Sequence, residues 1–425
     1  MKPRIGTIVV GIACLALGAA IQRAYDIRQG PASQSAKAEL TPVKTPAAPV
    51  KAAPIWTPVA VERSKVDYSN QPMWAWGVTE APKPDEKQAV QGDPNAPVNN
   101  RLASMTPDEL NRKRRAHGSK LEFSFAEIRN ISTENPAGGG NVVDWFPEDH
   151  PNPMPEIIRS GPAALGKNGR ACGSCHLSDG SGRPENASPA GLPAGYIVRQ
   201  LTDFKNDLRH SSDARKSNTN TMTMLAKAMT DEEMKQAAAY FSSVAWRPHV
   251  KVVETNLVPQ TKIQGELFIP TGEEGAVEPI GNRIIEVPTD VEQNQVLRNS
   301  RGTWIAYVPV GSIKKGKDLV VNGGMKIVND QIVQGKTTAC GTCHGIDLLG
   351  VAPDVPPLAG RSPSYLARQI FDIQQGVRNG SNSNVTLMKM VVDKLTAEVI
   401  VNITAYLASR PVAAPAPSNQ LLTRR

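Results

Sequence analysis

Two pentapeptides constrain this chain more than anything else in it: Cys172-Gly173-Ser174-Cys175-His176 and Cys340-Gly341-Thr342-Cys343-His344. Cys-x-x-Cys-His is the pattern that attaches haem covalently, two thiols forming thioethers with the vinyl groups and the next imidazole becoming the proximal iron ligand. The spacing has a mechanical basis. Two intervening residues set both sulfurs on one side of a helical turn, and the following residue brings its ring beneath the iron. A zinc ribbon built on two Cys-x-x-Cys pairs has no need of a histidine after each pair, and neither has a thioredoxin-like redox pair. The chain is therefore expected to carry two covalent haem c, held by Cys172, Cys175, Cys340 and Cys343, with His176 and His344 on the irons.

The remaining composition fits that reading. In 425 residues, enough for two or three domains, only 5% are aromatic, so each lobe is short of the large rings that fill a core, and buried macrocycles supply that volume. The fifth cysteine, Cys14, lies in an apolar run, so no disulfide framework remains to be built; it also lacks the leucine three residues earlier that marks a lipidated cysteine. A net charge of +8 suits an acidic redox partner or an anionic membrane surface. Basic and acidic residues alternate along the chain, which argues against nucleic acid.

Lys2 and Arg4 precede 17 nearly all-apolar residues, Ile5 to Ile21. A basic start before an apolar run directs the rest of the chain to export. The length falls between a signal-peptide core and a spanning helix, and Gly18-Ala19-Ala20 fits a cleavage site, so residues 1–30 read as a signal peptide or a membrane anchor. Residues 31–60, rich in Ala, Pro and Lys, read as a tether holding the body away from a membrane, which favours the anchor. The body is then expected on the periplasmic side of a bacterial inner membrane, attached to it, or soluble in the periplasm if the run is cleaved. Residues 61–150 form an N-terminal extension, with Trp74, Trp76 and Trp145 expected to pack it onto its haem lobe and a short helix opening at Thr106-Pro-Asp-Glu. His117 and His150 read as surface or hydrogen-bonded residues rather than ligands.

Residues 151–247 and 311–411 are two copies of one unit. After the first motif come Ala190-Gly191, Tyr196, Arg199-Gln200 and Asp203; after the second come Ala359-Gly360, Tyr365, Arg368-Gln369 and Asp372, at the same internal offsets. Each copy continues through a polar loop to a Met-x-Met, Met222-Thr-Met224 or Met388-Lys-Met390, and closes on a helix capped by Thr230 or Thr396 and ended by Pro248 or Pro411. The first methionine of each pair lies 50 residues after Cys172 or 48 after Cys340. Thioether sulfur ligates iron well, so each loop is expected to supply the sixth ligand, with the choice within each pair open. Arg199 and Arg368 are candidate partners for haem propionates, and surface ion pairs explain them almost as well. Tyr196 and Tyr365 either close the haem edge or fill core. The prolines near 189 and 356 mark places where a backbone carbonyl would accept the proximal imidazole N–H.

Taken together, these residues resemble the tandem class I di-haem cytochromes c of the c-four type: the haem motif, an Ala-Gly and Tyr-x-x-Arg-Gln helix, a methionine loop and a C-terminal helix, twice over. In that family the ligand methionine is often followed by x-Pro, with Ser or Thr eight residues on. This register implies Met222 and Met388 as ligands; Met224 and Met390 stand where the proline is usual, a departure that keeps them as alternatives. The resemblance covers about half of the chain. It implies a mainly α fold of two class I cytochrome c helical domains, with a small β-containing insert at 248–310, an irregular N-terminal extension and a flexible tail at 412–425.

The insert shows alternating apolar runs at 249–253, 283–287 and 303–308, separated by Gly and Pro clusters. Two closed His/Met irons leave no position for a substrate. The expected function is single-electron transfer between exported or membrane-bound redox proteins. An electron-accepting subunit of a dehydrogenase or oxidase complex is the main alternative, and a di-haem peroxidase, which needs one open iron, a weaker one.

Overall fold

A computed structural model describes residues 65–83, 86–87, 105–130, 142–380 and 383–412. The N-terminal apolar run, the Ala/Pro-rich stretch and the C-terminal tail lie outside the described residues. The extension contributes α1 (Pro107–Asn111), the strands β1 (Lys113–Arg114) and β2 (Phe123–Ser124), and α2 (Phe125–Arg129). Both short helices start on full capping boxes, Thr106 with Glu109 and Ser124 with Glu127.

The first haem unit holds α3 (Glu156–Ser160), α4 (Cys172–His176), α5 (Ala194–Lys205), α6 (Ser217–Ala228) and α7 (Asp231–Ser243). Its core is the apolar face of α7, with Met234, Ala237, Ala238 and Phe241, set against Ile197 and Leu201 of α5. Thr230 caps α7 in the expected box with Glu233.

Between the units, β3 (Val250–Glu254), β8 (Ile285–Pro288) and β9 (Trp304–Val308) form one sheet in the order β3-β9-β8, with β3 parallel to β9 and β8 antiparallel to it. These are the three apolar runs of the insert, displaced by one or two residues. Two further ribbons, β4 (Leu257–Pro259) with β7 (Val277–Pro279) and β5 (Thr261–Gln264) with β6 (Leu267–Pro270), lie within the same segment.

The second unit holds α8 (Ser312–Asn322), a hairpin of β10 (Lys326–Val328) and β11 (Gln331–Val333), then α9 (Gly341–His344), α10 (Pro363–Gln374), α11 (Ser383–Val392) and α12 (Ala397–Ser409). Helices α8 and α12 cross at Gly316, where a Cβ would stand 1.9 Å from the Asn402 carbonyl oxygen, so only glycine lets the two backbones meet this closely. The hairpin turns on Asn329 and Asp330, both with positive φ, as a type I′ turn demands.

The structure alters two expectations. Met222 and Met388 sit on the helices α6 and α11 rather than in loops. The extension does not pack only onto the first lobe. Trp74 and Trp76 join the core of the second lobe, and Trp76 meets Phe371 of α10 edge-on at 5.6 Å. Trp145 and Phe146 form a separate small core with Phe125, Ile128, Val296 and Leu297, and the Trp145 indole donates to the Leu297 carbonyl. The tryptophans were legible as anchors, but aromatic anchors carry no local sign of which distant surface they bury.

Candidate functional site

The two histidines are held alike. His176 Nδ1 bonds the Ala187 carbonyl and His344 Nδ1 the Pro356 carbonyl, each at 2.8 Å. A carbonyl can only accept, so Nδ1 carries the proton and the lone pair is left on Nε2, as metal ligation requires. Burial lowers the pKa of both rings, against the carbonyl bond at Nδ1, and so favours the neutral form. Pro356 is the carbonyl expected in the second lobe; in the first it is Ala187, two residues before Pro189. Burial also pushes the Cys172 thiol up to about 12 and the Cys340 thiol up to about 11.

The methionines divide. Met222 packs with Cys172 against the core of its lobe, and Met388 packs with Cys340 against the core of the other. Met390 is 75% exposed and Met224 belongs to neither core. Helical geometry explains the division, because residues two apart point in different directions around a helix. His150 is engaged elsewhere, its Nδ1 with the Asn152 carbonyl and its Nε2 with Asp144, at 2.6 and 2.7 Å. His117 is exposed.

The repeated Tyr-x-x-Arg-Gln segments meet each other. Arg209 and Arg378 pair as an antiparallel bridge between the lobes, with His210 N–H donating to Val377 and Asn379 N–H to Leu208. Arg209 donates to Gln200 and Gln369; Arg378 donates to Gln369, Gln200 and the Tyr196 hydroxyl. Tyr365 bonds Arg209 in turn. Residues 196, 200 and 209 map onto 365, 369 and 378 by one constant offset, so the contact is a pseudo-two-fold built from the repeat itself. Sequence reasoning had no reason to single out Arg209 and Arg378, although their equal positions in the two copies were a usable signal.

Arg199 and Arg368 both meet partners within the protein, Arg199 in the ion pair that was the alternative to a propionate. Arg199 pairs with Asp354 across the lobes. Arg368 donates to the carbonyls of Ala75 and Pro184, at 2.5 and 2.6 Å. Each guanidinium meets an acceptor that the long-range fold brings to it, which the spacing within one helix does not encode.

These residues fit haem c. Each motif offers two cysteines and an imidazole with Nε2 available, and its first cysteine packs against the same core as a methionine. Arg209 and Arg378, buried and juxtaposed, have no carboxylate in an ion pair among the described residues, and the Arg378 Nε has no partner. Buried like charges of this kind call for anionic groups, and haem propionates are such groups.

Fold and site together define a tandem di-haem cytochrome. The Cytochrome c family model matches residues 163–245 and 330–411, and the chain belongs to that family, with two covalently bound haem c. It is 39% identical over 75 residues to Cytochrome c-554(548) of Halomonas halodenitrificans, 18% of this chain and 88% of that protein. It is 25% identical over 250 residues to the thiosulfate dehydrogenase electron acceptor of Stutzerimonas stutzeri, 58% of this chain and 80% of that protein. With cytochrome c4 of Azotobacter vinelandii it shares 34% over 93 residues, 21% of this chain and 44% of that protein. This is a di-haem electron-transfer cytochrome.

Proposed function

We propose that the chain takes single electrons from an exported dehydrogenase, passes them between its two haems and releases them to a second redox protein, as the electron acceptor named in the Stutzerimonas relative does for thiosulfate dehydrogenase. Cys172 and Cys175 would hold one haem, with His176 and Met222 supplying its iron ligands; Cys340 and Cys343 would hold the other, with His344 and Met388. When bound, each haem supplies a one-electron iron couple. The protein's part would be to offer each iron a histidine and a methionine and to fix the lobes against each other through the Tyr196, Gln200, Arg209 and Tyr365, Gln369, Arg378 contact. The basic start and apolar run at the N-terminus support export, and residues 31–60 support a tether to the membrane.

One observation carries the choice of entry lobe. At the first motif Gly173 and Ser174 are buried, and a Cβ on Gly173 would stand 2.8 Å from Val142 of the extension. At the second, Thr342 and Cys343 are exposed and Ile346 is 92% exposed. The second lobe is thus the one a protein donor can approach. Stopped-flow reduction by thiosulfate dehydrogenase with thiosulfate tests this. Ile346→Glu should slow the second-order step about tenfold, as a charge placed in a docking patch does, while Val277→Glu on the insert leaves it unchanged. The reverse order places entry on the insert, and absence of reduction by this donor removes the thiosulfate assignment.

A further inference from the structure

The insert bonds a basic side chain to one haem motif and, among the described residues, none to the other. Arg298 follows the single helical turn Glu292–Val296 that lies between β8 and β9, is held at a positive φ of 52°, and its guanidinium donates to the Ser174 carbonyl between the two haem-bearing cysteines of the first lobe. The side chain is partly buried, its Nε is shut off from solvent without a partner, and among the described residues no carboxylate pairs with it. The guanidiniums of Arg129 and Arg183 lie near enough to repel it, and Arg183 is itself bonded to the Gln295 side chain. Arg183 has Glu185 at 2.5 Å, so the local balance stays positive. Burial first, and then these neighbours, lower the Arg298 pKa; arginine remains cationic at any physiological pH.

We propose that Arg298 is a tuning residue that sets the first-lobe haem at a higher reduction potential than the second. The inference rests on the two-haem reading and adds a direction to it. Reduction lowers the charge at the iron by one, so a fixed cation nearby favours the reduced form, and the effect grows where water is kept away. The covered first motif meets both conditions. At the second motif no basic side chain bonds the Thr342 or Cys343 carbonyl among the described residues, and Thr342 and Cys343 face solvent. An electron entering at the open lobe then runs downhill to the covered one.

Spectroelectrochemical titration of the full di-haem chain tests this, comparing the native protein with Arg298→Gln and Arg298→Lys. The native protein should titrate in two waves. In Arg298→Gln the upper wave should fall while the lower one stays in place, and Arg298→Lys, which keeps the charge, should hold the upper wave near its native position. Movement of the lower wave, of both together or of neither overturns the proposal. Pyridine haemochromogen counts and the near-infrared methionine-to-iron band, recorded on the same samples, report separately on haem content and ligation.

Discussion

The two haem lobes are copies of one plan, yet they are finished differently. In the second, the eleven-residue α8 crosses α12 through Gly316, and the core gains Trp74 and Trp76 from the extension. In the first, the α-helix ahead of the motif is the five-residue α3, and the lobe is covered from outside by Val142 and by Arg298 of the insert. The second lobe is well built and open at its haem motif, whereas the first is more lightly built and covered. Repetition supplies two equal centres; the extension and the insert make them unequal. For an electron carrier this inequality matters, because identical haems in identical settings have no preferred direction of transfer.

Removing each haem in turn is the strongest way to break this comparison. Cys172→Ala/Cys175→Ala and Cys340→Ala/Cys343→Ala should each lower the pyridine haemochromogen count from two haems to one. The first pair should depress the melting temperature more, since the first lobe has less protein core to fall back on. Equal losses would show that the longer α8 and the tryptophans contribute little. Next in size, Met222→Ala and Met388→Ala should each remove about half of the near-infrared methionine–iron band, and Met224→Ala and Met390→Ala should leave it intact. Loss of the band in Met390→Ala would overturn the ligand assignment in the open lobe.

Glycines give a finer comparison. Gly316→Ala forces a methyl group into the Asn402 backbone at the α8–α12 crossing and should cost about 1–3 kcal/mol or more in denaturant unfolding followed at the haem band. At the motifs the same substitution should have opposite signs. Gly173→Ala drives a methyl group into Val142 at 2.8 Å and should cost about 1 kcal/mol, at the low end for overpacking. Gly341→Ala meets nothing nearer than Ile346 at 3.8 Å, so it should be neutral or stabilise by up to about 1 kcal/mol through the lower entropy of the unfolded chain. Matching responses would mean that Val142 does not cover the first motif.

What could be read from the sequence is whatever the chain encodes locally or twice. The haem motifs, the capping threonines at 230 and 396, the methionine register and the three strands of the central sheet are all of this kind. Equal spacing in the two copies singled out Met222 and Met388, which pack against the cores that Cys172 and Cys340 also meet. Contacts between distant segments left no such trace. Tyr196, Arg199, Tyr365 and Arg368 were legible as repeated polar positions, but a repeat has no way of announcing that its copies face each other. The turn that aims Arg298 at Ser174 has the same character: it spans 124 residues and is written in neither segment alone.

The smallest effect concerns how the cover is fastened to the first lobe. His150 stands between the extension and α7, with Tyr240 5.5 Å from its ring. Its two nitrogens face a backbone carbonyl and the Asp144 carboxylate, which only accept, so both bonds are complete only in the imidazolium. The bond to Asp144 raises the His150 pKa above the usual histidine range against the opposing effect of burial, and the Asn152 carbonyl adds to the rise. Because the folded value lies above the unfolded one, the stabilisation is fully present below about 6.5 and is lost as pH rises through the folded value. His150→Gln should therefore lower the melting temperature at pH 5.5 and make little difference at pH 8.5, with the reduction of both haems monitored to show that the centres are intact. A deficit that persists unchanged at pH 8.5 would mean that His150 fastens the cover by packing against Tyr240 and not by its charge.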